Sequence, residues 1–142
     1  MSKWSMNRAL VAGALVFVPA ATGVALAPVA SAAPQACVTQ SLTTGDYESV
    51  GTIRYKSATS SCNDLNLTYS YNTNSRNYDD YAGRLRRSDG TWFTCAKRYV
   101  VGYDGYHSVT DSTYALCTAV SDNTPFTVAS LFDPADNVAI TH

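Results

Sequence analysis

Asp104, His107, Ser108 and Asp111 lie within the stretch YDGYHSVTD. They carry the residue types of a nucleophile, a base and an orienting acid. Groups strung along one turn seldom converge in that geometry. No Gly-x-Ser-x-Gly turn presents a serine nucleophile either. Asp79 and Asp80 are a second candidate, a carboxylate pair for glycosidic cleavage. Neighbours on an extended chain point to opposite faces, so the two cannot flank one bond. The same objection holds against calcium, and no Asp-x-Asp/Asn-x-Asp/Asn-Gly loop is present. Cys37, Cys62, Cys95 and Cys117 could ligate zinc, but no pair has the short spacing of a zinc site, and His107 and His142 are far apart. The expectation is a protein without catalytic activity, metal or cofactor.

The cysteines are better used as disulfides, which requires an exported chain. The N-terminus supplies the signal. Lys3 and Arg8 precede an Ala/Val/Leu-rich run, and Ala30-Ser31-Ala32 has the small-x-small form of a cleavage site. Pro19, Gly23 and Pro28 interrupt the run, and no second apolar span follows, so a membrane anchor is not expected. Residues 1–32 are read as a signal peptide and residues 33–142 as a single secreted β domain. Four cysteines allow three pairings. Sequential pairing, Cys37–Cys62 and Cys95–Cys117, closes the shortest loops and is preferred. Each bridge contributes about 3 kcal/mol by restricting the unfolded chain.

The mature chain keeps eight Lys/Arg and all eleven Asp/Glu, a net charge of −3. Nucleic acid as a main partner would need a basic surface. All ten tyrosines remain. Tyr gives rigid contact area at low entropy cost, as in antibody loops, and it also favours strands. Tyr69 and Tyr71 fit the strand use. Tyr47, Tyr78, Tyr81, Tyr103 and Tyr106 lie in or beside predicted loops and fit a contact use.

The elements that must position these residues are strands. LNLTYSYN alternates, which puts Leu65, Leu67, Tyr69 and Tyr71 on one face. GTIRYKS places Ile53 and Tyr55 inward and Arg54 and Lys56 outward. TYALCTAV and TPFTVASLF are apolar on both faces and suit central strands. Asp133-Pro134-Ala135-Asp136 reads as a hairpin turn pairing Leu131 with Val138 and Ala129 with Ile140. The first half of Asn72–Gly83 reads as an exposed loop. Six to eight short strands imply a small antiparallel sandwich or Greek-key barrel, monomeric.

The stretch Arg84–Tyr99, RLRRSDGTWFTCAKRY, packs five positive charges and three aromatics around Asp89-Gly90. A three-residue loop, Ser88 to Gly90 with Gly90 left-handed, pairs Arg87 with Thr91. It faces Leu85 with Phe93 and Gly83 with Cys95 on the core side. Arg84, Arg86 and Trp92 then form an outer patch, with guanidinium able to lie on indole. A cross-strand Arg–Trp pair also stabilises a hairpin by itself, by about 0.2–1 kcal/mol.

ACVTQ followed by IRYKSATSSC resembles the tendamistat type of bacterial α-amylase inhibitor. That resemblance implies an exported two-disulfide β-sandwich with sequential pairing. It also implies a contact at Arg54-Tyr55, with Cys62 seven residues beyond. Ile53 stands where that family has Trp, and the present chain is longer. CAKRY is similar to the reactive segment of the bacterial subtilisin-inhibitor class, with Lys97 at the specificity position. The functional expectation is a secreted binding module, an inhibitor of a secreted amylase or protease. Arg54, Tyr55, Arg84, Arg86 and Trp92 are its candidate contacts. The alternatives are a polysaccharide- or cell-wall-binding module and a structural envelope protein. Intact-mass measurement of the exported form should give a chain starting near Ala33 and lacking four hydrogens. Free thiols or a retained N-terminus would refute the reading.

Overall fold

The computed structural model describes residues 36–59 and 61–142. The signal peptide assigned to residues 1–32 lies outside them. The described chain forms ten strands: β1 (Thr39–Thr43), β2 (Arg54–Tyr55), β3 (Leu65–Tyr71), β4 (Tyr78–Arg86), β5 (Trp92–Thr94), β6 (Val100–Tyr103), β7 (Gly105–Tyr106), β8 (Ala115–Cys117), β9 (Pro125–Ser130) and β10 (Asn137–Thr141). Two antiparallel sheets face each other. The first runs β1-β10-β3, with β7 and β8 both on β3. The second runs β2-β9-β4, with β5 and β6 both on β4. Leu42, Leu65, Leu67, Leu116, Val138 and Ile140 from the first pack on Tyr81, Phe126 and Val128 from the second. This is the expected all-β sandwich. The disulfides are Cys37–Cys62 and Cys95–Cys117, the sequential pairing.

The hairpin follows the three-residue register. Arg84 faces Thr94, Leu85 faces Phe93 and Arg86 faces Trp92. The Arg87 amide donates to the Thr91 carbonyl, and Gly90 has φ +88°. The segment 73–77 is exposed, as expected of a loop. β9 is central and, from Phe126 to Ser130, buried on both faces. β8 is also fully buried but short, and pairs only with β3.

Several expectations fail for identifiable reasons. β9 and β10 do not form a hairpin; they belong to opposite sheets. Two buried carboxylates hold the chain as it crosses between them. Asp79 Oδ1 accepts from the Leu131 and Phe132 amides at 3.2 and 3.1 Å, and Oδ2 from the Asp133 amide at 3.0 Å. Asp136 Oδ2 accepts from the Tyr81 hydroxyl at 3.0 Å, and Oδ1 from the Thr73 amide at 2.9 Å. Burial and this carboxylate raise the Tyr81 hydroxyl far above its usual pKa. The contact use assigned to Tyr81 is therefore wrong, because its ring is fully buried.

The second failure is in β3. Tyr69 pairs with Ala139 and Leu67 with Ile140, so Thr68 is an extra residue in a bulge. Alternation changes phase there. Leu65 and Leu67 point into the core, while Tyr69 and Tyr71 point out.

The third is in β2. Arg54 is opposite Phe126, and directly paired residues share a face. Phe126 faces the core, so Arg54 lies on the inner side at the sheet edge. From there its guanidinium donates twice to the Ser41 carbonyl of β1, at 3.2 and 3.0 Å. Lys56 follows inward and is buried, whereas Ile53 and Tyr55 are exposed. Removing the Tyr81 hydroxyl should test the crossing. Tyr81→Phe leaves a buried carboxylate oxygen short of a donor, so stability to denaturant should fall by about 1–3 kcal/mol. An unchanged midpoint would contradict the role given to this bond.

Candidate functional site

The connection from β1 to β2 has no apolar run to place it, yet it is fastened along its length. The Thr44 amide donates to the Asp136 carbonyl at 3.0 Å, and the Asp136 amide donates to the Thr44 hydroxyl at 3.0 Å. Gly45 lies along the edge of β9, with its amide on the Val128 carbonyl and its carbonyl taking the Ser130 amide. On the return, the Gly51 amide donates to Thr127 Oγ1 at 3.1 Å, which donates to the Thr52 carbonyl at 3.0 Å. Gly45 and Gly51 meet at the neck. A Cβ on Gly51 would come within 2.3 Å of the Thr43 carbonyl oxygen, so no larger residue fits that approach. The result is a closed Ω-type loop.

Its tip crosses the outer face of the second sheet. The Arg84 guanidinium donates to the Glu48 carbonyl, and the Glu48 amide donates to the Tyr99 hydroxyl at 2.8 Å. Tyr47 stacks on Tyr99, with ring centroids 5.5 Å apart. Glu48 sits at φ +48°, a conformation that a non-glycine residue holds only when its surroundings impose it. The segment exposes Tyr47, Val50, Ile53 and Tyr55, with Tyr55 60% accessible, beside the exposed Glu48 and Ser49.

The predicted contact residues therefore separate. Tyr55 is exposed on this segment. Arg54 is half-buried and spends its guanidinium on Ser41. Arg84 is buried beneath the loop, so the outer patch loses one member. Arg86 is exposed and Trp92 half-buried in the expected register. Arg86 Nε donates to the Gly90 carbonyl at 3.2 Å. The guanidinium that stacks on a ring in this hairpin is Arg87's, 4.3 Å from the Phe93 centroid. Arg86 and Arg87 line an open groove of about 470 Å³ against Asp122 and Asn123. The hairpin and the loop are thus two separate contact candidates.

The acid–base candidates have structural partners. Asp79 is buried under the crossing, while Asp80 is half-buried on the outer side, with its pKa raised by burial and by Asp79. His107 Nε2 lies 2.9 Å from the hydroxyl of Ser70, a residue not in its own turn. Ser70 is fully buried and donates to the Tyr103 carbonyl at 2.8 Å. His107 stacks on Tyr114, with centroids 4.1 Å apart. Asp111 instead accepts from the Thr113 amide and caps the 3₁₀ turn Ser112–Tyr114. Among the described residues no group of three His, Cys, Asp or Glu is placed to hold a metal.

Sequence reasoning found Tyr47, Tyr103 and Tyr106 as exposed tyrosines, and they are. Tyr78 is half-buried between Tyr103 and Phe132. Sequence reasoning missed Val50, because a single apolar residue in a polar segment gives no periodic signal, and it turned Ile53 inward by the alternation of GTIRYKS, whereas Ile53 is exposed. It also missed Phe132, whose ring lies under the Arg76 guanidinium at 4.4 Å.

No protein-family model matches the chain, and neither a curated protein nor a solved structure matches it.

Burial lowers the pKa of both His107 and His142. The His142 Nδ1 accepts from the Ser57 amide at 2.9 Å, a bond that the protonated ring cannot keep. Each histidine thus binds its proton less readily in the fold than in the unfolded chain. The stability this represents is present above about pH 6.5 and is lost as pH falls below it. The unfolding midpoint should drop on acidification through that range, and His142→Gln should flatten the slope. Asp80 and Asp136, whose pKa values burial raises, act in the opposite sense nearer the carboxylate range. An equal slope in the variant would remove His142 from the account.

Proposed function

We propose that the mature domain is a secreted, monomeric binding module that inhibits a secreted hydrolase by occupying its site, without turnover of its own. The observation that carries this reading is the segment Tyr47–Tyr55. It offers Tyr and aliphatic side chains on a backbone already ordered by Arg84, Tyr99, Thr127 and the Gly45–Gly51 neck. Ordering before contact spares a binder the entropy of fixing its loop, so more of the contact energy appears as affinity. Two disulfides and a chain without a membrane-spanning helix among the described residues are compatible with an exported protein. The tendamistat-type resemblance points to the same place, since Tyr55 belongs to both.

Titration of the purified protein against secreted amylases and proteases should give stoichiometric loss of activity with one of them. Tyr55→Ala and Tyr47→Ala should each weaken that inhibition about thirtyfold, the roughly 2 kcal/mol of a hot-spot residue. Both side chains are exposed, so the fold should survive either change. Loss on Arg86→Ala and Trp92→Ala instead would move the contact to the hairpin. Inhibition of nothing in the panel, or indifference to all four substitutions, would refute the reading.

A further inference from the structure

The outer face of the first sheet lies apart from the loop, which crosses the outer face of the second. The bulge at Thr68 turns Tyr69 and Tyr71 onto that face. β7 adds Tyr106 opposite Tyr69, with ring centroids 5.1 Å apart and the planes inclined by 55°. Tyr106 is 89% accessible, and Tyr71 48%. The register fills in the rest. Ala139 and Ser41 continue the row of Tyr69, and Asn137 and Thr43 continue the row of Tyr71. Beside them the hydroxyls of Thr39, Thr141 and Thr68 form a chain, at 2.7 and 2.9 Å. None of these residues is Asp, Glu, Lys or Arg.

We propose that this face binds a neutral polysaccharide chain. A sugar ring presents apolar C–H groups on its faces and hydroxyls at its rim. The three tyrosine rings offer flat apolar surface with a polar tip. The serine, threonine and asparagine side chains between them offer donors and acceptors. A charged partner would lose hydration over the tyrosines, and the charged groups at the margin are already engaged, Arg54 with the Ser41 carbonyl and Asp104 with the Asn72 amide. A purely apolar partner would strip water from the hydroxyl and amide groups without replacing their hydrogen bonds. The row Ser41–Ala139–Tyr69–Tyr106 crosses four strands, roughly 14 Å at the usual strand spacing. That length suits an extended run of sugars. The site goes beyond the inhibitor reading and does not depend on it.

The test is retention of the secreted protein on insoluble cellulose, chitin, xylan and starch, with alginate as the acidic control. Retention on at least one neutral glycan is expected, undiminished in high salt. Tyr106→Ala and Tyr71→Ala should each weaken it at least tenfold, Tyr106→Trp should keep it, and Tyr55→Ala should leave it unchanged. Failure to bind any of the four, binding to alginate alone, or binding abolished by salt would overturn the proposal. Binding indifferent to Tyr106 and Tyr71 would do so as well. Sedimentation of the same variants covers the remaining occupant. A dimer that Tyr106→Ala converts to monomer, with no glycan retained, would mean that the face pairs with a second copy.

Discussion

The chain between β9 and β10 must leave one sheet and enter the other, and Asp79 and Asp136 are what hold it there. Each carboxylate is fully buried and each is filled with donors from other segments. Asp79 gathers the amides of residues 131–133. Asp136 ties the crossing to Tyr81 in β4, to Thr73 in the exposed loop and, through its backbone, to Thr44. Charge-assisted bonds of this kind are about twice as strong as neutral ones, and a buried carboxylate left without them is costly. Moving the crossing would leave both groups unpaired. It would also displace β10, against which the bulged half of β3 lines up its tyrosines, and the root of the Gly45–Gly51 loop.

Ionic attraction does little elsewhere. Among the described residues the ion pairs are Lys56–Asp122 at 3.9 Å and Arg98–Glu48 at 3.7 Å, and Arg98 is well exposed. The exposed Arg98–Glu48 pair contributes about 0–1 kcal/mol, and the buried Lys56 ammonium sits closer to the Ser57 carbonyl, to which it donates at 2.7 Å, than to Asp122. The arginines work instead as donors to carbonyls: Arg54 to Ser41 across the two sheets, and Arg84 to Glu48 beneath the loop. A guanidinium has several donors in a fixed plane and suits this use, where lysine would not. The residues that look most like a charged contact surface in the sequence therefore serve partly as the framework of the loop.

The sequence is most legible where interactions are local. The Arg84–Cys95 hairpin follows from Asp89-Gly90 and from the separation of its two faces, and the disulfide pairing from short loop closure. It is least legible where one residue changes the meaning of its neighbours. LNLTYSY alternates perfectly, yet the extra Thr68 sends its leucines and tyrosines to opposite sides. No pattern within that strand reports the bulge, because it is defined against β10. Asp133-Pro134-Ala135-Asp136 is a turn in either reading. Which strand follows it depends on Asp79, more than fifty residues earlier in the chain. Arg54 and Tyr55 exchange sides because the partner of Arg54 is Phe126, a long-range pairing with no local signal.

The pinched neck at Gly45 and Gly51 bears on what happens if a protease cuts the exposed tip. Each half of a nicked loop would keep its own fastenings. The upstream part is held by Gly45 on β9, and the downstream part by Thr52 on Thr43 and Arg54 on Ser41. Glu48 stays on Arg84 and Tyr99 whichever side of it is cut. The new ends would remain near one another at a high effective concentration. Hydrolysis would then gain little entropy, and the severed peptide bond would lie close to equilibrium with the intact one. A single cut in the tip would therefore leave both ends fastened to the sandwich rather than release a free strand.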